Sequence, residues 1–289
     1  MPRSPRGGLV AGLTCSAVTF ALLAPARATT TPQTPGLGVA VADATMVPVQ
    51  GVLFPPDGTH SWDVRQGHDG DCWFLSSLAA VVHCNATIVQ NLIQDNGNGT
   101  YTVTLFNASN QPTAITVAST FAEYDFGNGL QPIGATWVLP WETQPVLWPA
   151  VIEKAYAQFD GGYLNMDWGY PAPAFQALTG VLTSNQPVIT LTSASQDDVW
   201  AQLTQATANN WPMVTNTYDL PSEESARLVQ GHVYAVVGTK VAADGTRSVS
   251  LRNPWGTAVK PYLGDSKGGF SYPLTDYMLH FSCLSICPL

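Results

Sequence analysis

The stretch Gln66-Gly67-His68-Asp69-Gly70-Asp71-Cys72-Trp73-Phe74 carries the residue types of a thiol nucleophile site. Glycines ahead of a helix let backbone approach a ligand, and a cysteine at a helix start sits at the positive end of the dipole, which favours its thiolate. Asp71 opposes that ionisation, so a cationic partner is required. On this stretch alone a buried structural cysteine opening a helix carries similar weight.

A thiol nucleophile needs an imidazole to share its proton and a third group to hold that imidazole in one tautomer. The five histidines are His60, His68, His83, His232 and His280. His232 follows Gly231 at the start of a strand-like run, 160 residues after Cys72, a separation at which thiol and base come from different halves of a chain. His68 lies in a tight glycine-rich turn, and His60, His83 and His280 read as surface or packing residues. Asn253, in Leu251-Arg252-Asn253-Pro254-Trp255-Gly256, supplies an amide oxygen that accepts an imidazole N–H without adding charge. A thiolate and imidazolium pair is the resting state this set predicts.

The elements that must position these groups are legible from periodicity. Cys72, Leu75, Leu78, Ala79 and Val82 form an apolar stripe on one face of a helix beginning at Cys72. Residues 100–118 predict a hairpin turning at Asn107-Ala108-Ser109-Asn110. Helices follow from Pro149 to about Phe159, from Ala174 to Thr179, and after a cap near Ser195. Strand-like runs at Met213 to Tyr218, His232 to Thr239 and Ser248 to Asn253 complete the pattern, the last two flanking the turn Asp244-Gly245. A helix-rich first half therefore meets a second half of antiparallel strands. A tight two-residue turn at Asp244-Gly245 would set Asn253 opposite Val236, about 13 Å along the strand from His232. A wider loop, a bulge or a curl after Asn253 is needed to close that gap.

The chain has 289 residues, 45% of them hydrophobic, with ten Phe and nine Trp, enough for one large or two moderate cores. Its formal charge of −9 provides no basic stripe for phosphates, which argues against nucleic acid as a partner and towards polypeptides or small solutes. Arg3 and Arg6, the apolar run Leu9 to Ala24 and Ala26-Arg27-Ala28 describe a secretory signal peptide over residues 1–28. Its removal takes three arginines and leaves a formal charge of −12. Later in the chain no apolar run reaches membrane-spanning length, so the expectation is an exported, extracellular or periplasmic monomer with no membrane contact in mature form. Residues 29–55 read as a linker or pro-segment with one strand. Residues 56–185 form the helix-rich lobe with the nucleophile, and 186–289 the strand-rich lobe with the base. After export Cys72, Cys84, Cys283 and Cys287 remain. With Cys72 kept as a thiol at most one disulfide forms, and Cys283 with Cys287 is the simplest pair.

Five blocks occur in an order that resembles the protease core of the calpain family. They are Gln66-Gly67-x-x-Gly70-Asp71-Cys72-Trp73-Phe74-Leu75, Leu147-Trp148-Pro149-Ala150-Val151-Ile152-Glu153-Lys154-Ala155-Tyr156-Ala157, Leu178-Thr179-Gly180, Gly231-His232-x-Tyr234 and Arg252-Asn253-Pro254-Trp255-Gly256. The resemblance covers about residues 56–265. It implies an α+β, papain-like, two-lobed cysteine endopeptidase with the active site between a helical N-terminal lobe and an antiparallel-β C-terminal lobe. By the same resemblance Cys72 is the nucleophile, His232 the general acid and base, and Asn253 its orienter. Gln66 is then the side-chain donor of the oxyanion hole, and Trp255 shields the His232–Asn253 bond. Gly58 and Asp63 fall where the family places calcium ligands. Calcium is thus the one candidate ion, and the thiol chemistry itself needs no cofactor. Two rival readings are a Cys-His acyl transferase of transglutaminase type, which usually orients its histidine with an acid, and a binding module on the same scaffold without turnover.

Overall fold

The computed structural model describes residues 44–127, 129–218, 228–257 and 265–289. The predicted signal peptide lies outside them. The chain enters through β1 (Thr45–Pro48) and a single 3-10 turn at Ser61–Asp63, then α1 (Cys72–Cys84), α2 (Ala86–Leu92) and β2 (Ile93–Asp95). Next come β3 (Thr100–Phe106), β4 (Pro112–Ala118), β5 (Thr120–Asp125), β6 (Leu130–Pro132), α3 (Trp148–Phe159), α4 (Tyr163–Met166) and α5 (Pro171–Thr179). The remainder is β7 (Val188–Thr190), α6 (Gln196–Ala208), β8 (Met213–Thr217), β9 (Val233–Val241), β10 (Arg247–Arg252), β11 (Gly269–Pro273), α7 (Leu274–His280) and β12 (Phe281–Ile286). Among the described residues the strands form three antiparallel sheets, ordered β1-β5-β6, β2-β3-β4 and β11-β10-β9-β8-β12-β7. The class is α+β.

Local chemistry explains the predicted elements. Asn107 Oδ1 accepts the N–H groups of Ser109 and Gln111, closing the β3–β4 turn. Ser195 Oγ accepts the Asp198 N–H at the start of α6. Pro149 stands at the second position of α3, one residue inside the helix rather than opening it. β7, β11 and β12 have no clear period in the sequence. They are short or buried on every residue, as β12 is, and so lack alternation.

Buried apolar side chains make two clusters. One joins α1, α2, α3, α5 and the β2–β3–β4 sheet; the other joins α6, α7 and one face of the six-stranded sheet. Val214, Val233 and Ala235 belong to the first cluster although they lie on β8 and β9, so α1 packs directly on that sheet. The predicted one-sided stripe is therefore corrected: every residue from Trp73 to Val82 is buried. Small side chains on the far face let the sheet approach, and the hydroxyls are satisfied internally. Ser76 donates to the Val233 carbonyl at 2.8 Å and Ser77 to the Trp73 carbonyl at 2.7 Å.

The expected Cys283–Cys287 disulfide is not formed, since Cys287 is a free, buried thiol 3.6 Å from Thr179 Oγ1. The reason is geometric. Cys283 lies within β12 and Cys287 just beyond its end, so four extended residues separate them by roughly 13 Å, twice the Cα distance a disulfide spans.

Candidate active site

Two of the three devices that could bring Asn253 towards His232 are present, the wider loop and the bulge. The β9–β10 loop is one residue wider than a tight turn, with the Ala242 N–H donating to the Thr246 carbonyl at 2.9 Å. A bulge then shifts the register between Ser250 and Leu251, from Ser250 opposite Gly238 to Leu251 opposite Val236. Gly238 adopts φ +143° there, a conformation open to glycine. Each device moves the pairing by one residue. Continuing that register sets Asn253 opposite Tyr234, a diagonal neighbour of His232 on the same face, within side-chain reach.

The result is a hydrogen bond of 3.0 Å between His232 Nε2 and Asn253 Oδ1. Its direction follows from a second contact, because the Trp255 backbone N–H donates to the same Oδ1 at 3.1 Å. An N–H requires an acceptor, so the atom facing both partners is the amide oxygen, and Nε2 of His232 carries the proton. Nδ1 is left as the imidazole's proton acceptor. His232 lies one residue ahead of β9. Its N–H reaches Thr217 Oγ1 at 3.0 Å and its carbonyl accepts the Thr217 N–H at 3.0 Å. The Trp255 ring lies 5.0 Å from the imidazole and covers it while remaining 38% exposed. Asn253→Ala removes the acceptor that fixes this tautomer. It is expected to lower kcat/KM for a peptide substrate about 10²-fold, chiefly through kcat. Asn253→Asp is expected to move the acid limb of the pH profile upward, because a carboxylate favours imidazolium. Steady-state kinetics across pH would show unchanged profiles if Asn253 only ends the strand.

Cys72 is the first residue of α1 and half-buried, and its sulfur faces the backbone of Val233, next to His232. The nucleophile and base candidates thus meet where α1 abuts the start of β9. The expected ionisation is corrected. Burial pushes the Cys72 thiol up to about 12 and the neighbouring Asp71 adds to this, while backbone hydrogen bonds at Val233 and Trp73 act the other way. Burial likewise pushes His232 down to about 4, against the Asn253 hydrogen bond. Desolvation outweighs the helix dipole, whose effect at a terminus is modest. No hydrogen bond joins Cys72 to His232 among the described residues, and burial favours a neutral thiol beside a neutral imidazole with an open Nδ1.

The loop before α1 is held from two sides. Gln66 Nε2 donates to the Asp69 carbonyl at 2.7 Å, leaving its second amide hydrogen free, and the Gln66 N–H donates to the Pro254 carbonyl at 2.8 Å. Arg252, 3% exposed, donates to the Val64 carbonyl at 2.5 Å. These bonds fix Gln66 against the Asn253-Pro254-Trp255 segment. On the other side the N–H groups of His68 and Asp69 donate to the Ile133 carbonyl at 2.6 and 3.0 Å. The neighbouring Ala135 N–H is received by both oxygens of Glu153, at 2.8 and 2.9 Å, from α3. His68 stacks on Phe126, His60 on Trp62, and His280 bonds Tyr272, so none of these is directed at the sulfur.

A family model for calpain family cysteine proteases matches residues 45–266. The chain belongs to that family. Its similarity to curated relatives extends over most of its length. It is 28% identical over 281 residues to the calpain-type cysteine protease ADL1 of Oryza sativa subsp. japonica, covering 86% of this chain and 12% of that protein. It is 29% identical to the calpain-type cysteine protease DEK1 of Arabidopsis thaliana, covering 81% and 12%. With the human calpain-1 catalytic subunit the identity is 26%, covering 82% and 36%. The chain thus spans from about an eighth to about a third of the length of these relatives.

The calcium expectation for this calpain-family chain is met by no acidic cage among the described residues. Asp63 is 1% exposed, and its Oδ2 accepts the His60 N–H at 2.8 Å and the Trp148 indole N–H at 3.2 Å. Burial pushes its carboxyl up to about 6. Among the described residues no group of three or more His, Cys, Asp or Glu is placed to hold an ion. Among the described residues Asp63 is thus committed to internal hydrogen bonds, with no acidic cluster around it to hold calcium.

Sequence reasoning gave no role to Thr217, Arg252 or Glu153. Glu153 had a signal, an acid within the otherwise apolar face Val151, Ile152, Ala155, Tyr156. Arg252 likewise precedes Asn253 at the end of a buried strand, where a charge demands a partner.

Proposed function

We propose that this chain is an exported, papain-like, two-lobed cysteine endopeptidase. Its nucleophile is Cys72, its general acid and base is His232, its orienting amide is Asn253, and its oxyanion donor is Gln66. The observation that carries the reading is the doubly donated Asn253 Oδ1, since it leaves His232 Nδ1 as acceptor beside the strand backbone that the Cys72 sulfur faces. The thiol proton passes to Nδ1 as sulfur adds to the peptide carbonyl, which avoids holding an isolated buried thiolate. The free Gln66 amide hydrogen and the Cys72 backbone N–H receive the developing oxyanion. Imidazolium then protonates the leaving amine, and water, deprotonated by His232, hydrolyses the thioester. An amide rather than an acid at position 253 favours this hydrolase over an acyl transferase. Export is supported by the leader-like composition of residues 1–28.

The test is unfolded casein as substrate and an electrophilic peptidyl epoxide as label, with the modified residue located by mass spectrometry. Casein fragments and a single adduct on Cys72 are expected. Labelling of Cys84 or Cys287 in its place, or casein left intact under reducing conditions, would remove the reading.

A further inference from the structure

Trp168 stands out among the residues flanking the proposed site. Its backbone has φ +66°, a left-handed conformation that costs a bulky side chain about 1 kcal/mol or more, yet its indole is 67% exposed. Burial of the side chain does not account for that strain. The loop holding it is pinned at three points to residues around Cys72. The Trp73 indole N–H donates to the Met166 carbonyl at 2.8 Å, and the Trp168 N–H donates to the Gly70 carbonyl at 3.2 Å. Gly169 lies so close on the Trp73 ring that a Cβ there has no room. The three contacts aim the Trp168 side chain at the base side of the site. A methyl group built on Gly231, the residue before His232, would stand 3.7 Å from Trp168 Cζ3. An exposed, rigidly presented indole therefore reaches from the α4–α5 loop, pinned beside Cys72, to the histidine's loop. Tyr170, also 67% exposed, follows on the same segment.

We propose that Trp168 is a specificity-determining residue whose indole forms the wall of a subsite for an apolar or aromatic substrate side chain flanking the scissile bond. This rests on the protease reading above and names the substrate class it prefers. A rigid aromatic wall offers contact area with little ordering cost, and its face stacks on aromatic and aliphatic groups alike. The strain is then the means by which the ring is held open to the substrate rather than folded onto its own loop.

The test compares the full-length wild type with Trp168→Gly and Trp168→Phe. Glycine takes the left-handed backbone freely, so its loop keeps its course without the ring, and phenylalanine restores an aromatic wall. Two pools of internally quenched peptides would be used, identical except for Phe, Leu and Tyr or Ser, Thr and Asn at the positions flanking the cleaved bond. The wild type is expected to favour the apolar pool about tenfold in kcat/KM. Trp168→Gly should lose that ratio mainly through a higher KM for the apolar pool, and Trp168→Phe should recover most of it. Equal cleavage of both pools by the wild type, or an unchanged ratio in Trp168→Gly, overturns the subsite and leaves the protease reading standing. Cleavage of neither pool by the wild type, with Cys72 unlabelled by the epoxide, overturns both.

Discussion

Cys72→Ala is expected to abolish casein hydrolysis, a loss of at least about 10⁴-fold, while the melting temperature stays within about 2 °C of the wild type. The two halves of that expectation have separate causes. Hydrolysis needs a sulfur beside an imidazole whose open nitrogen accepts a proton, and Cys72 is the thiol that faces the β9 backbone next to His232. The other free thiols are badly placed to substitute. Cys84 ends α1, about 18 Å from Cys72 along the helix axis. Cys287 lies beyond β12, and burial pushes both thiols up, to about 12 and about 11. His83 adjoins Cys84 in sequence, but successive helical residues point apart, and its hydrogen bond goes to the Val237 backbone. Stability is spared because alanine is a good helix former and removes a half-buried sulfur rather than a core packing group. Fragment release measured by gel and quenched-peptide fluorescence, with calorimetry on the same samples, tests both halves. Residual hydrolysis above about one part in a hundred would mean that another group attacks the carbonyl.

The wild-type acid limb carries the same logic. His232 must be neutral to accept the thiol proton, and burial holds its pKa at about 4. Initial rates of casein hydrolysis are thus expected to hold well below the ordinary imidazole range, and an acid limb near pH 6.5 would show His232 to be unshifted.

The sequence allows the nucleophile helix, the capped α6, the β3–β4 hairpin and the β9–β10 pair to be read because each is specified within a few residues. It also allows the need for an irregular β9–β10 pairing to be deduced, since a regular hairpin places Asn253 too far from His232. What it does not disclose is set by distant contacts. α1 has a one-sided apolar pattern in sequence, yet it is buried all round because β8 and β9 pack on its serine and alanine face. Cys72 has the local context of an acidified thiol, yet burial by residues far away in sequence decides its ionisation. Asp71 reads in the sequence as an acid beside Cys72, and its side chain makes no cap hydrogen bond. It faces Glu153, 82 residues away, a pairing that no local pattern contains.

That pairing yields the second large effect. Asp71 is fully buried and Glu153 is 1% exposed, and the two carboxyl groups are neighbours, with neither Asp71 oxygen receiving a hydrogen bond. Burial and the acids around the pair disfavour two carboxylates side by side, so the pair keeps a proton above the ordinary carboxyl range. Tyr163 neighbours Glu153, and Asp69 and Asp167 add negative charge nearby. Burial pushes Asp71 up to about 7 and Glu153 well above its ordinary range. With both pKa values raised on folding, the native state binds more protons than the unfolded chain above about pH 4. Stability is therefore full below that pH and is lost as pH rises through 7 and beyond. His232 acts with the opposite sign between about pH 4 and its ordinary value, so the window above pH 6.5 is the one to read. There the wild-type melting temperature is expected to fall by about 5 °C between pH 6.5 and 9. Glu153→Gln should flatten that fall, since the amide still accepts the Ala135 N–H and has no proton to lose. Glu153→Ala should cost about 2 kcal/mol at every pH, because the buried Ala135 N–H loses its acceptor. Both changes act on the segment that holds the His68 and Asp69 backbone, so proteolysis should track stability in the same order. An equal slope in wild type and Glu153→Gln would show that the two carboxyls titrate independently.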